Sequence, residues 1–320
     1  MYNRTFAALA LTWLAASQAC AQNFPTRPLR LVVPYAAGGS TDVLARLIGQ
    51  KLTESLGHPV VIDNRTGAGT LIATEIVAHA VPDGHTLLMA TPPLVVAEAL
   101  YKVVPFNVAR DFAAVTNVAA TSNVLVVHPA VAAQSARELI AMAKAQPGRL
   151  VYGSSGIGGA SHLAVALFAS MAGVELLHVP YKGGALAVTD LLGGRLALMF
   201  ANLTTVQPHI KSGKLRALAI GTAQRSLVVP ELATIAEAGV PGYEANNWNG
   251  VVAPAATPRA VIERLQREIR AIVEAPELRS RLLQSAFEPV ADTPQAFRRY
   301  LESERLKWGR VVREAGIKPE

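Results

Sequence analysis

Residues 29–47 read LRLVVPYAAGGSTDVLARL, and this stretch sets the plan that the rest of the chain follows. The apolar, β-branched start at Leu29–Tyr35 predicts a buried strand, and an amphipathic helix is predicted after the small-residue turn. Gly38 and Gly39 in that turn lack a Cβ atom, so the backbone can pass close to whatever lies above the strand end. The first turn of a helix carries unpaired N–H groups and the positive end of the helix dipole. The stretch therefore predicts a site that suits an anion such as a carboxylate.

Three polar residues follow the glycines at the predicted start of the helix. Ser40 and Thr41 stand where side-chain hydroxyls cap helices, and Asp42 falls in the first turn. A carboxylate in a first turn stabilises a helix by a few tenths to about 1 kcal/mol. We therefore prefer a structural role for Asp42 over a role as a catalytic acid.

The same design returns in the second half of the chain. A short predicted strand at 150–152 runs into GSSGIGGASH (153–162), and a helix is predicted at 163–171. A single glycine turn is explained equally well by close strand–helix packing, but two turns with hydroxyl groups favour a ligand site. For His162, a hydrogen bond within the first turn is slightly preferred over direct ligand contact. The two turns together predict a site built from two facing loops.

Strands and helices alternate along the chain, which predicts an α/β fold of parallel βαβ units with right-handed crossovers. Further strands are predicted at 59–63, 85–90, 123–128, 176–179, 196–200 and 215–220, and helices at 42–56, 71–79, 136–145, 185–192 and 206–212. Thr257–Pro258 and Thr293–Pro294 predict the starts of two C-terminal helices. In open parallel sheets, ligands bind beyond the carboxyl ends of the strands, where both glycine turns fall. A length of 320 residues favours two domains.

The N-terminus predicts a cleaved secretory signal peptide over residues 1–21 and hence a periplasmic mature protein. Arg4 provides the charged region, residues 5–16 the apolar region and residues 19–21 the small-residue cleavage site. Cys20 is the only cysteine, and lipidation there is the weaker interpretation. The mature chain then contains no cysteine, which excludes disulfides, thiolate metal sites and cysteine nucleophiles. After residue 22 no segment is apolar enough to predict a transmembrane helix.

Other function classes fit the sequence less well. The net charge of +7 is dispersed without a run of Lys or Arg, so nucleic acid is not expected as a partner. GIGGAS (156–161) has Ser161 where the dinucleotide fingerprint needs its third glycine, and no P-loop is present. GSSG (153–156) is not the G-x-S-x-G motif, although an exported α/β hydrolase using Ser154 or Ser155 remains the alternative. The seven histidines are scattered, so neither a metal nor a cofactor is expected.

Several long stretches resemble the extracytoplasmic solute receptors of the tripartite tricarboxylate transporter family, also called Bug-type receptors. They are PTRPLRLVVPYAAGGSTDVLAR (25–46), VVIDNRTGAG (60–69), PDGHTLLMAT (82–91), YGSSGIGGASHLA (152–164), VPYKGGALAVTDLLGGRL (179–196), HIKSGKLRALA (209–219) and EAGVPGYEANNWNGVVAPAATP (237–258). The resemblance implies a two-domain fold like that of type II periplasmic binding proteins, each domain a mostly parallel sheet flanked by helices. Domain 1 would comprise 24–123 plus 246–320 and domain 2 would comprise 124–245, with hinge crossings near 121–123 and 244–247.

The resemblance also implies a function, namely capture of a small carboxylate by hinge closure and delivery to a membrane permease. It implies a monomeric binding protein without catalysis; a solute sensor that feeds a signalling partner is the other alternative. The candidate ligand-binding residues are Gly38, Gly39, Ser40, Thr41, Asp42, Thr91, Ser154, Ser155, Gly158, Ser161, His162, Asn202 and Trp248. All except Asp42 and His162 are carried over from the resemblance. For Trp248, a place in the core is about as well supported as a pocket wall. Ala201 stands where many relatives have Asp, which favours a plain mono- or dicarboxylate over an amino acid.

Overall fold

The computed structural model describes residues 24–181 and 183–317, so the predicted signal peptide lies outside the described residues. The strands are β1 (Leu29–Val33), β2 (Val60–Asn64), β3 (Thr86–Ala90), β4 (Phe112–Val127), β5 (Val151–Ser154), β6 (Leu177–Pro180), β7 (Leu198–Asn202), β8 (Arg216–Ile220), β9 (Asn246–Pro254) and β10 (Glu288–Pro289). The helices are α1 (Ser40–Leu56), α2 (Leu71–Ala78), α3 (Pro93–Leu100), α4 (Val108–Asp111), α5 (Ala136–Ala145), α6 (Ala160–Ala172), α7 (Gly184–Leu192), α8 (Leu203–Lys211), α9 (Arg259–Glu274), α10 (Pro276–Gln284) and α11 (Pro294–Glu314). A short 3-10 helix, Ala68–Thr70, leads into α2. Every helix of the described part is too short or too polar to cross a bilayer.

One mixed sheet runs through the molecule in the order β2-β1-β3-β9-β4-β7-β5-β6, with β8 and β10 also paired to β4. The βαβ units are parallel: β1 pairs with β2 and β3, and β5 pairs with β6 and β7. The centre of the sheet is antiparallel, because β4 and β9 run against their neighbours. The mixed α/β class predicted from the sequence is confirmed, with parallel strands confined to the outer parts of the sheet.

Strand β4 connects the two halves of the sheet. Its residues 112–122 pair with β9, and its residues 123–127 pair with β7 and β8. In this region the sequence predicts a strand at 123–128, but the structure has one strand of 16 residues, Phe112–Val127. The strand contains neither proline nor glycine, and pairing with β9 satisfies backbone groups of its polar residues Thr121 and Ser122.

The core explains why these segments are strands and helices. In β1, Leu29 and Leu31 pack into one apolar cluster and Val32 packs into another, because alternate side chains face opposite sides of a sheet that is covered on both faces. Leu44 and Ile48 of α1 join the cluster of Leu29. This packing fixes the N-terminus of α1 beyond the carboxyl end of β1.

The helix starts agree only partly with the sequence prediction. Thr293 caps α11, since its Oγ1 accepts from Ala296 N at 3.2 Å. Thr257 is not a cap, because α9 begins one residue later and its N-cap is Pro258, which has no capping side chain. The helices α3 and α10 were not anticipated.

Candidate functional site

A cleft of about 950 Å³ lies beyond the carboxyl ends of β1, β3, β5 and β7. Both glycine turns line it, one from each half of the sheet. Eight residues predicted from the sequence lie in its lining: Gly39, Ser40, Thr41, Thr91, Ser155, Gly158, Ser161 and Asn202. The structure therefore brings the two turns together on one shared surface.

Among the described residues, every side chain that lines the cleft is uncharged. The lining consists of glycine, alanine and proline residues, hydroxyl and amide side chains, aliphatic and methionine side chains, and phenylalanine and tyrosine rings. No described arginine or lysine is available there to pair with an acid, and no described carboxylate to pair with an amine. The described lining thus offers backbone dipoles and neutral hydrogen-bonding groups.

Four of the helices that begin at the cleft are α1, α6, α7 and α8. Their N-cap residues, Gly39, Gly159, Gly183 and Asn202, all line it, and none of these residues caps its helix with a side chain. The first-turn N–H groups of a helix have no intrahelical acceptor. Each helix also contributes roughly half a positive charge at this end. Four such ends around one uncharged cleft form an arrangement suited to an anion.

The first turn differs from its prediction in one respect. Gly39 is the N-cap, so Ser40 and Thr41 are the first two residues of α1 and their hydroxyls do not cap it. Thr41 instead donates from Oγ1 to Asn249 Oδ1 at 3.0 Å, a buried contact with β9. This contact fixes the start of α1 to the centre of the sheet.

Asp42 lies behind the first turn and outside the cleft lining. Its Oδ2 accepts from Gly38 N at 2.8 Å and from Arg46 Nε at 2.9 Å, and its Oδ1 accepts from Asn64 Nδ2 at 2.9 Å. Burial works against ionisation, but the bonds from Arg46, Gly38 and Asn64 together hold the pKa of Asp42 below its usual value. Asp42 is thus an ionised carboxylate whose bonds are directed at the turn and not at the cleft.

The second turn is held by hydroxyl groups. Ser161 Oγ accepts from Ser155 N at 2.8 Å and lies 3.0 Å from Ser155 Oγ, so it closes the loop and does not cap α6. Ser154 is fully buried outside the cleft lining. Its Oγ donates to Gly156 O at 3.1 Å and lies 2.7 Å from His178 Nε2. A serine hydroxyl buried in this way cannot attack a ligand in the cleft, which removes the basis for a Ser154 nucleophile.

His162 also lies behind its turn. Its Nδ1 accepts from Gly158 N at 3.0 Å, and its ring stacks on that of His178 with centroids 4.1 Å apart. Burial, with His178 beside it, lowers the pKa of His162 to about 4. The ring is therefore neutral at neutral pH, as an accepting Nδ1 requires. The first-turn hydrogen bond preferred from the sequence is present.

Thr91 and Asn202 lie in the cleft wall at the ends of β3 and β7. Thr91 Oγ1 is 3.1 Å from Tyr35 OH. Asn202 Oδ1 is buried and has no hydrogen-bond partner among the described residues. The Asn202 amide is thus a polar group at the cleft that a ligand can satisfy.

Of the two places that the sequence left open for Trp248, the core and a pocket wall, the structure has it in the core. It is 0% exposed and packs against Phe297 and Tyr300 of α11, with ring centroids 5.6 and 6.1 Å away. Its neighbour in β9, Asn247, lines the cleft instead, because consecutive side chains of a strand face opposite sides.

Sequence reasoning missed several residues of the lining. The missed residues include Tyr35, Thr70, Leu100, Tyr101, Ile157, Gly183, Gly184 and Asn247. The Gly183–Gly184 turn carried a usable signal, since it repeats the design of a glycine pair before a helix. The apolar and aromatic residues carried none, because their pattern does not distinguish a cleft wall from the core. Within the described ranges, no group of three His, Cys, Asp or Glu side chains is placed to hold a metal ion.

The family model described as tripartite tricarboxylate transporter family receptor matches residues 44–317. The chain belongs to this receptor family. BugT of Bordetella pertussis is 38% identical over 305 residues, which cover 95% of this chain and 94% of BugT.

Solved structures also resemble this chain over nearly its whole length. The structure of Rpa4515 from R. palustris with adipate is 39% identical, has a TM-score of 0.85, and covers 93% of this chain and 100% of that one. MatC from Rhodopseudomonas palustris with bound malate is 29% identical, with a TM-score of 0.80 and coverage of 90% and 100%. The family resemblance drawn from the sequence is confirmed.

Proposed function

We propose that the protein is a periplasmic receptor that binds a small carboxylate in the cleft and delivers it to a tripartite-type membrane permease. The observation that carries this proposal is the convergence of four uncapped helix N-termini on an uncharged cleft. Helix dipoles and free N–H groups favour an anion, and the described lining offers nothing that pairs with a cation. Adipate in Rpa4515 and malate in MatC support the same ligand class.

The proposed contacts are the cleft-lining members of the sequence-predicted set. They are Gly39, Ser40, Thr41, Thr91, Ser155, Gly158, Ser161 and Asn202. First-turn N–H groups of α1 and α6 hold one carboxylate, directly or through ordered water, which is nearly as favourable enthalpically as a direct bond. The remaining wall, which is largely apolar, accommodates the body of the acid.

The receptor works by hinge closure of two lobes, 24–123 with 246–320 and 124–245. Strands β4 and β9 cross between these lobes, and Asn123 Nδ2 donates to Ala245 O at 3.1 Å where the two crossings meet. A Cβ atom added to Gly158 would lie 2.2 Å from Leu100 Cδ1, so the lobes touch beside the cleft. Closure buries the ligand and creates the surface that the permease recognises.

The mature receptor is exported through the signal peptide and acts as a monomer without catalysis or a cofactor. The buried position of Ser154 supports binding without chemical change, as does a described lining that contains no His, Cys, Asp, Glu, Lys or Arg side chain.

Native mass spectrometry of the protein purified from its own host, followed by calorimetric titration, tests the proposal. We expect a bound acid that is recovered unchanged, and binding of adipate or malate by the ligand-free protein. Adipamide, which has the length of adipate without its charge, is the matched ligand control. Ser161→Ala should weaken binding, whereas Ser170→Ala at an exposed position of the same helix should not. Equal binding of adipate and adipamide, no binding of any acid in a panel, or recovery of a hydrolysed ligand contradicts the proposal.

A further inference from the structure

The two cleft turns share one five-residue geometry, GGSTD at 38–42 and GGASH at 158–162. The first glycine of each has a positive φ, +87° at Gly38 and +69° at Gly158. The second glycine is the N-cap of the helix, with φ and ψ of −73° and 165° at Gly39 and −66° and 159° at Gly159. The turns are therefore duplicates in backbone conformation although their side chains differ.

The fifth residue of each turn accepts a hydrogen bond from the first glycine. Asp42 Oδ2 accepts from Gly38 N at 2.8 Å, and His162 Nδ1 accepts from Gly158 N at 3.0 Å. Both acceptors are more than nine-tenths buried and lie behind the cleft lining. Each bond ties the left-handed glycine to the first helical turn, so it sets the direction in which the N-cap and the following N–H groups point.

We infer that Asp42 and His162 are matched positioning residues: each fixes one anion-binding turn through the N–H of the glycine four residues before it. This inference rests on the proposed carboxylate-binding function of the cleft. The residues contact no ligand, and their effect reaches the ligand only through the geometry of the turns.

The two positioning groups differ in charge because their surroundings differ. The Asp42 carboxylate is ionised because Arg46 balances its charge and Asn64 donates a further hydrogen bond to it. Among the described residues no such cation is seen beside His162; the described titratable groups that face it are His178 on β6 and Tyr152 on β5. A neutral imidazole provides the same acceptor without a negative charge near the bound acid, and burial keeps it neutral.

Replacement of His162 by two neutral amides tests the inference. The Asn side-chain oxygen occupies the place of Nδ1 and can accept from Gly158 N, whereas the longer Gln side chain puts its oxygen near the place of Nε2. We expect His162→Asn to bind adipate, or whichever acid the wild-type protein binds, within about twofold of wild type. His162→Gln should bind roughly five- to tenfold more weakly, the effect of one hydrogen bond.

Hydrogen exchange of glycine-labelled, ligand-free protein provides a second measurement that needs no ligand. The amide of Gly158 should be protected in wild type and His162→Asn and should exchange faster in His162→Gln, while the amide of Gly38 serves as the internal control. The reverse pattern, with Gly38 alone affected, is expected for Asp42→Ala.

Equal affinities and equal Gly158 exchange in the Asn and Gln variants would overturn the inference. If wild type itself binds no acid, the proposed function fails, and the exchange of Gly158 still decides whether His162 positions the turn.

Discussion

Gly158→Ala is the substitution whose effect on ligand binding follows most directly from the structure. The added Cβ would lie 2.2 Å from Leu100 Cδ1 and 3.2 Å from Leu100 Cγ, although ordinary contacts begin near 3.4 Å. Leu100 is only 6% exposed, so its side chain has little room to move away. The lobes must separate by about 1 Å there, or Leu100 must repack, at a cost of about 1–3 kcal/mol. A second, backbone cost of about 1–2 kcal/mol arises because φ at Gly158 is +69°.

Gly38→Ala is the matched control, since its φ is +87° and nothing lies within 4 Å of the added Cβ. The backbone cost is present with or without ligand, so it lowers the unfolding free energy of both variants by about 1–2 kcal/mol and changes affinity little. In the proposed hinge closure, the contact between Gly158 and Leu100 is made only when the lobes approach. Gly158→Ala should therefore weaken ligand binding by roughly 5- to 150-fold, whereas Gly38→Ala should not.

Leu100→Ala and the double variant Gly158→Ala/Leu100→Ala complete a double-mutant cycle. Each variant is measured by urea unfolding and by calorimetric titration. Leu100→Ala should restore most of the affinity that Gly158→Ala removes. The reasoning requires Gly158 to approach Leu100 when the ligand binds. Equal affinity losses in the two glycine variants, or no recovery of affinity on adding Leu100→Ala to Gly158→Ala, would refute it.

Three further predictions follow from single contacts. Trp248→Phe should lower the thermal midpoint but leave the affinities for a panel of acids in the same order, because Trp248 packs on α11. A changed order of affinities would mean that Trp248 contacts the ligand. Calorimetry should find 2-aminoadipate bound at least about 100-fold more weakly than adipate, because an ammonium group finds no described carboxylate in the lining; similar affinities would contradict this. The pKa of His162 is about 4 in the folded protein and about 6.5 in the unfolded chain, so the unfolded chain takes up the proton first as the pH falls. The unfolding free energy should therefore fall by on the order of 2 kcal/mol between pH 6.5 and 4, and by less in His162→Asn. Urea titrations at each pH can show this.

The repeated strand–glycine–helix design was predictable because it depends on local sequence. Helix α5 has the predicted bounds, Ala136–Ala145, since Ser135 caps it by accepting from Glu138 N at 3.2 Å. The unbroken course of β4 was not predictable, because the backbone of Thr121 and Ser122 pairs with β9 and the side chain of Asn123 bonds to Ala245, all distant in sequence.

The site was predictable in its backbone and less so in its side chains. Hydroxyls that matched capping positions serve other contacts, Thr41 with Asn249 and Ser161 with Ser155. Which of Asn247 and Trp248 faces the cleft depends on the pairing of β9 with β4, and a single sequence does not reveal that register. Local propensity thus predicts the anion-binding turns, and tertiary pairing decides which side chains surround them.

The structure of the complex with the acid that the protein retains tests the central claim most directly. The account predicts one carboxylate of that acid within about 3 Å of N–H groups in the first turns of both α1 and α6, or joined to them by single waters. A carboxylate held away from either turn, or paired with an arginine or lysine side chain, would contradict it.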